Sequence, residues 1–116
     1  MMKRLMTSLA AIGIAGCAAV VVPPAQLASS EGSIRGAEEM GANGVPPAKL
    51  HLQLARDQTE EAKRMAARGD ERSVLVLARA EADAELALGM AREVKVHTEA
   101  VRATEALAAL HNRATP

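Results

Sequence analysis

The sequence contains no Phe, Tyr or Trp. Nucleic-acid bases and sugars therefore find no stacking platform, and the aromatic anchors that dominate many tight interfaces are missing. There is a single cysteine, Cys17, which excludes a disulfide framework within the chain and a cysteine-based metal cluster. Positive charge is not in excess either: 14 Lys and Arg face 14 Asp and Glu. A chain so balanced has no electrostatic reason to seek nucleic acid. The N-terminal apolar run is too short to cross a bilayer as a permanent helix. Proline is absent from residues 71–110.

What is present begins at the N-terminus. Lys3 and Arg4 precede an apolar stretch over 5–14, interrupted only by Thr7, Ser8 and small residues. This is the layout of a secretory signal. It ends in Ile14-Ala15-Gly16-Cys17, a branched aliphatic residue, two small residues and the cysteine, which resembles the lipobox of bacterial lipoproteins. The resemblance implies cleavage between Gly16 and Cys17, diacylglycerol on the thiol and an acylated new amine. Cys17 then acts as a membrane anchor and not as a nucleophile, since several acyl chains hold firmly where one holds marginally. Ala18 follows, where an aspartate would imply retention at the inner membrane, so the resemblance points to the outer membrane facing the periplasm. Loss of residues 1–16 leaves 100 residues with 12 basic and 14 acidic side chains, a net charge near −2. That is enough for one small domain.

The remaining chain is rich in Ala, Leu, Val and Met, which lets helices approach closely around a thin core and makes for modest stability. Residues 17–24 read as a tether ending in Pro23-Pro24. Asn43-Gly44 followed by Pro46-Pro47 marks a helix stop and a new start, and Arg68-Gly69-Asp70 marks a third break. Leu27, Ile34, Ala37 and Met40 share one helical face, and Gly32 and Gly36 weaken that helix. Leu50, Leu54, Ala62 and Met65 form a stripe on the second, with Glu60 and Arg64 as an i,i+4 pair. In the third, Val74, Leu77, Ala84, Leu88 and Ala91 make one face, and Leu75, Ala82 and Leu86 another, which predicts cover from two sides. Val96, Ala100, Ala103, Leu107 and Leu110 are spaced four, three, four, three as a short coiled-coil seam. The β-branched stretch Val94-Lys95-Val96-His97-Thr98 marks a place for a bend.

These patterns predict an all-α fold: a small helical hairpin or three-helix module of antiparallel helices near 25–42, 47–68 and 71–110, with a tail at 111–116. A second helix of about 21 residues covers only some 30 Å of a third helix near 60 Å long. The seam from Val96 to Leu110 is then left facing water and is the candidate partner contact.

The succession Pro24, Leu27, Ala28, Ile34, Arg35, Ala37, Met40, Gly41, Ala42, then Pro47, Leu50, Leu54, Ala55 and Ala62 is similar to the domain-of-unknown-function family numbered 4398. Gly69, Leu77, Ala78, Ala80, Glu81, Asp83, Ala84 and Ala87 continue the likeness, which spans roughly 23–93. The resemblance implies a short helical envelope protein built from tetratricopeptide-like hairpins. It carries no catalytic residues with it. Some members append an OmpA-like peptidoglycan-binding domain, which the residues up to Pro116 do not contain.

Chemistry is sparse. His51, His97 and His111 are too far apart in sequence for a local ligand pair, and read as solvated or helix-end histidines, with His111 suited to the negative end of the last helix. Glu81, Asp83 and Glu85 read as a solvated face. Ser29, Ser30, Ser33 and Ser73 lie in no nucleophile motif, and there is no glycine-rich phosphate loop. Arg68-Gly69-Asp70 matches an adhesive tripeptide, yet Gly69 closing one helix and Asp70 capping the next explains it physically. No enzyme, cofactor, metal or small-molecule substrate is expected. Two readings stand: a lipid-anchored helical interaction or scaffold module that meets an envelope protein or weakly associates with itself, and a self-associating coiled-coil tether of the envelope. The first is preferred.

Overall fold

A computed structural model describes residues 21–114, which form three α-helices and no strand. The signal segment, the Gly16–Cys17 cleavage point and residues 115–116 lie outside the described residues. Helix α1 spans Pro24–Glu39, α2 spans Pro46–Ala67 and α3 spans Ser73–Ala114. Prolines open the first two, where a missing N–H costs nothing. Expected and observed bounds agree within a few residues, except that α3 continues through His111 and Arg113 where a tail was expected.

The two breaks are made differently. After α2, Gly69 takes the left-handed conformation at φ 74°. Its N–H bonds to the Ala66 carbonyl at 2.9 Å and the Asp70 N–H to the Met65 carbonyl at 3.0 Å, the paired bonds of a Schellman motif. After α1, the left-handed residue is Gly41, at φ 84°. Asn43-Gly44, expected to stop the helix, lie instead in the short 3-10 turn Ala42–Gly44 that follows.

α2 packs against α3 more extensively than α1 packs on either. The buried row on α2 is Ala48, Leu52, Ala55, Thr59 and Ala62; on α3 it is Leu77, Ala80, Ala84, Ala87 and Ala91. Both rows step by four and three, so each presents one stripe to the other. Ala48 and Leu52 meet Ala87 and Ala91 at one end, while Ala62 meets Leu77 and Ala80 at the other, so the two helices are antiparallel. Alanine at most contacts places the axes toward the near end of the roughly 8–10 Å range of packed helices.

This geometry corrects the expected stripes. Leu50 and Leu54 are exposed, Leu50 by 58%, because the hairpin turns its small residues inward and only Ala62 and Met65 of the expected α2 face are buried. On α3, Leu77, Ala84 and Ala91 are buried as expected, Leu88 is half-buried and Val74 is exposed. Leu75, Ala82 and Leu86 are exposed and do not form a second covered face. The expected Glu60–Arg64 pair is replaced by two i,i+3 pairs, Glu60–Lys63 at 2.9 Å and Glu61–Arg64 at 2.8 Å.

α1 completes the bundle. It runs antiparallel to α2, laced to it by the Glu38–Arg56 pair and by Glu31–Lys63 at 2.9 Å. Beneath those pairs the Ser30 hydroxyl donates to Thr59 Oγ1 at 3.0 Å, since the Thr59 hydroxyl itself donates to the Ala55 carbonyl at 2.7 Å. Such a bond satisfies two buried groups where apolar contact is thin.

The alanine seam makes a direct prediction. Ala84→Leu inserts a branched side chain into the buried row of α3 and should lower unfolding free energy by about 1–3 kcal/mol. Ala78→Leu, on an exposed part of the same helix, should change it by no more than about 0.5 kcal/mol. Urea denaturation of the two variants checks the difference.

Candidate functional site

Beyond Ala91 none of the described residues buries any part of α3. Every residue over 92–114 is exposed, yet the helix continues unbroken through the β-branched stretch 94–98. The Thr98 and Thr104 hydroxyls donate back to the carbonyls of Val94 and Ala100, each at 2.8 Å, which ties β-branched side chains into the helix. At about 1.5 Å per residue this free arm projects roughly 34 Å from the body. Val96, Ala100, Ala103, Leu107 and Leu110 all lie on it and all are exposed. Helical spacing puts them on one side, with Val96 63%, Leu107 68% and Leu110 60% exposed.

The arm is mixed in charge. Arg92, Lys95, Arg102 and Arg113 alternate with Glu93, Glu99 and Glu105. A groove of about 330 Å³ lined by Met40, Arg92, Lys95, Val96 and Glu99 opens where the arm leaves the body. A second depression of about 320 Å³ lies between α1 and α2, and its Glu31, Arg56 and Glu60 are engaged in the ion pairs described above.

Two polar arrangements in the body escape a reading by sequence spacing. His51 Nδ1–H donates to Asp83 Oδ1 at 2.7 Å, and Gln58 Nε2 donates to Asp83 Oδ2 at 2.9 Å. His51 was expected to be solvated and Asp83 to lie on a solvated face; both are partly buried and face each other across α2 and α3. His51 and Gln58 are seven residues apart, one heptad, and this is the signal that places both beside one residue of the facing helix. The arrangement can hold an imidazole in one orientation and fix the register of the hairpin.

The turn Arg68-Gly69-Asp70 is committed to structure. Asp70 Oδ1 accepts the Arg72 N–H at 3.0 Å, and Oδ2 accepts from the Arg72 guanidinium at 2.7 Å. The Arg72 side chain and backbone N–H hold the Asp70 carboxyl down at about 2, from an ordinary 3.8. An adhesive role would require this carboxylate to be offered outward.

Among the described residues no group of His, Cys, Asp and Glu is arranged to hold a metal ion, and no helix is long and apolar enough to cross a membrane. Comparison of the chain with protein-family models, curated proteins and solved structures finds no match. The likeness to family 4398 thus rests on the residue spacings alone.

A pH dependence follows from Asp70. Its folded value is depressed, so its contribution to stability is present above about pH 4 and is lost as pH falls toward 2. Asp70→Asn should therefore lower the denaturation midpoint at pH 7 and converge with the unmodified chain near pH 2. Urea titrations at both pH values check this.

Proposed function

We propose that the chain is a lipid-anchored helical interaction module of the bacterial cell envelope, tethered through acylated Cys17 and presenting the free arm of α3 to a protein partner. The observation that carries the interaction half is the arm itself. A helix whose final 92–114 segment is wholly exposed, with Val96, Leu107 and Leu110 recurring on one side, offers a contact surface that the hairpin does not use. A helical end left in water this way loses stability at its β-branched positions, which cost up to roughly 0.7 kcal/mol each relative to alanine. A partner along the apolar side offsets that cost.

The anchoring half is supported by Lys3, Arg4, the apolar stretch over 5–14 and Ile14-Ala15-Gly16-Cys17. Anchoring suits the sequence order: the short tether read over 17–24 precedes the helical body, and the arm extends from that body as a separate reach. Asp83 with His51 and Gln58, and Ser30 with Thr59, are engaged in holding helices together, which suits a body that serves as a support for the arm. Outer-membrane placement follows from Ala18 at the position after the anchor.

Expression of the full chain in a bacterial host with labelled palmitate tests the anchor. The unmodified chain should carry label and sediment with membranes, and Cys17→Ser should carry none and appear in the soluble fraction. Label retained by Cys17→Ser, or an unmodified chain found soluble, contradicts the reading.

A further inference from the structure

The back of α3 carries a second row with the same seven-residue period as its packed front. Leu75, Ala82 and Leu86 begin it on the body, with Leu75 67% and Leu86 43% exposed. Arg79, Gly89 and Glu93 occupy the intervening positions, also exposed. At the same steps of four and three the row then enters the arm at Val96 and Ala100 and ends near Leu110 and Ala114. The four-and-three spacing runs the length of α3, with its apolar members in two stretches, Leu75 to Leu86 and Val96 to Ala114, on either side of Gly89 and Glu93.

We propose that a second copy of the chain covers this row, with the two α3 helices paired antiparallel over their full length. This names the partner of the arm and rests on reading the arm as a contact surface. Side-chain size favours the pairing. With Leu86 set opposite the partner's Ala103, Ala82 faces the partner's Leu107, Leu75 faces the partner's Ala114 and Gly89 faces the partner's Ala100. Both leucines of the body half meet a small residue, the same large-into-small fit by which Leu52 packs with Ala87 and Ala91 inside the chain, while Val96 faces the partner's Glu93 and Leu110 faces the partner's Arg79.

Charge selects the same register. At the positions flanking the row, Arg92 comes beside the partner's Glu99, and by two-fold symmetry Glu99 comes beside the partner's Arg92. On the other flank Met90 meets the partner's His97, with no like charges opposed. Flanking pairs of this kind set orientation in coiled coils. The groove formed by Met40, Arg92, Lys95, Val96 and Glu99 lies at the midpoint of this arrangement. A parallel pairing would instead set Glu93 against the partner's Glu93 and Arg79 against the partner's Arg79 within the seam, where like charges oppose association. It would also crowd both bodies at one end.

The test uses the full chain carrying Cys17→Ser, followed by sedimentation and circular dichroism. This chain should sediment as a dimer at micromolar concentration. Adding Arg92→Glu should weaken dimerisation about tenfold with helicity retained, and Arg92→Glu with Glu99→Arg should restore it. In the same background, Leu86→Cys chains mixed with Ala103→Cys chains should form a disulfide between copies, faster than Leu86→Cys chains alone. A monomer at all concentrations, a charge swap that fails to restore the dimer, or faster cross-linking of Leu86→Cys to itself overturns the proposal. A monomer that binds a purified envelope protein, and loses it on Leu107→Glu with Leu110→Glu, overturns the antiparallel pair while leaving the interaction module standing.

Discussion

Close contact between alanines of α2 and α3 is the constraint from which the other features follow. Ala48, Ala55 and Ala62 recur every seven residues on α2, as Ala80 and Ala87 do on α3, so one stripe of each helix approaches the other with little side chain between. Such a contact buries little apolar area per residue, and area removed from water is the main source of stabilisation. Directional interactions surround the seam: Asp83 held by His51 and Gln58 on one side, and the Ser30–Thr59 bond with the Glu31–Lys63 and Glu38–Arg56 pairs under and along α1. These fix register more than they add energy, since exposed ion pairs contribute about 0–1 kcal/mol each.

The same constraint produces the arm. α2 ends at Ala67 and turns tightly through Gly69, so α3 starts beside its end and passes its beginning near Ala91. Nothing in the sequence stops α3 there: no proline interrupts it, and its Ala, Leu, Glu and Arg residues propagate a helix already nucleated in the body. The arm is thus a continuation whose start is stabilised by the body and whose far end depends on what it meets. Its exposed apolar row lies in line with the leucines left bare on the back of the hairpin, with Gly89 and Glu93 between them.

Punctuation was the most legible part of the fold. Pro23-Pro24, Pro46-Pro47 and Gly69 each act through backbone geometry, which is local, and the structure places helix boundaries where they lie, whereas Asp70 holds the turn before α3, which begins at Ser73. Asn43-Gly44 reads as the stop of the first helix, yet Gly41 takes the left-handed conformation there and Ala42 packs into the core. The faces were less legible for a different reason. Hydropathy ranks leucine above alanine, so Leu50, Leu54, Leu75 and Leu86 were assigned inward, whereas the close packing of this hairpin selects small residues and sends those leucines out. The arm's seam was visible from its spacing, but its extension over the whole back of α3 was hidden while Leu75 and Leu86 were counted as core. The His51–Asp83 contact joins residues on different helices, and the seven-residue spacing of His51 and Gln58 is the one local pattern that points to it.

On the proposed reading, α3 commits one face to the hairpin and leaves the other to a second chain. Amide hydrogen exchange across α3 at a series of protein concentrations tests it most directly, because exchange reports the stability of each segment separately. Residues 73–91 should be protected at every concentration, while residues 92–114 should exchange quickly in dilute solution and become protected as concentration rises. Protection of the arm that is equal at all concentrations, whether high or absent, would contradict the account.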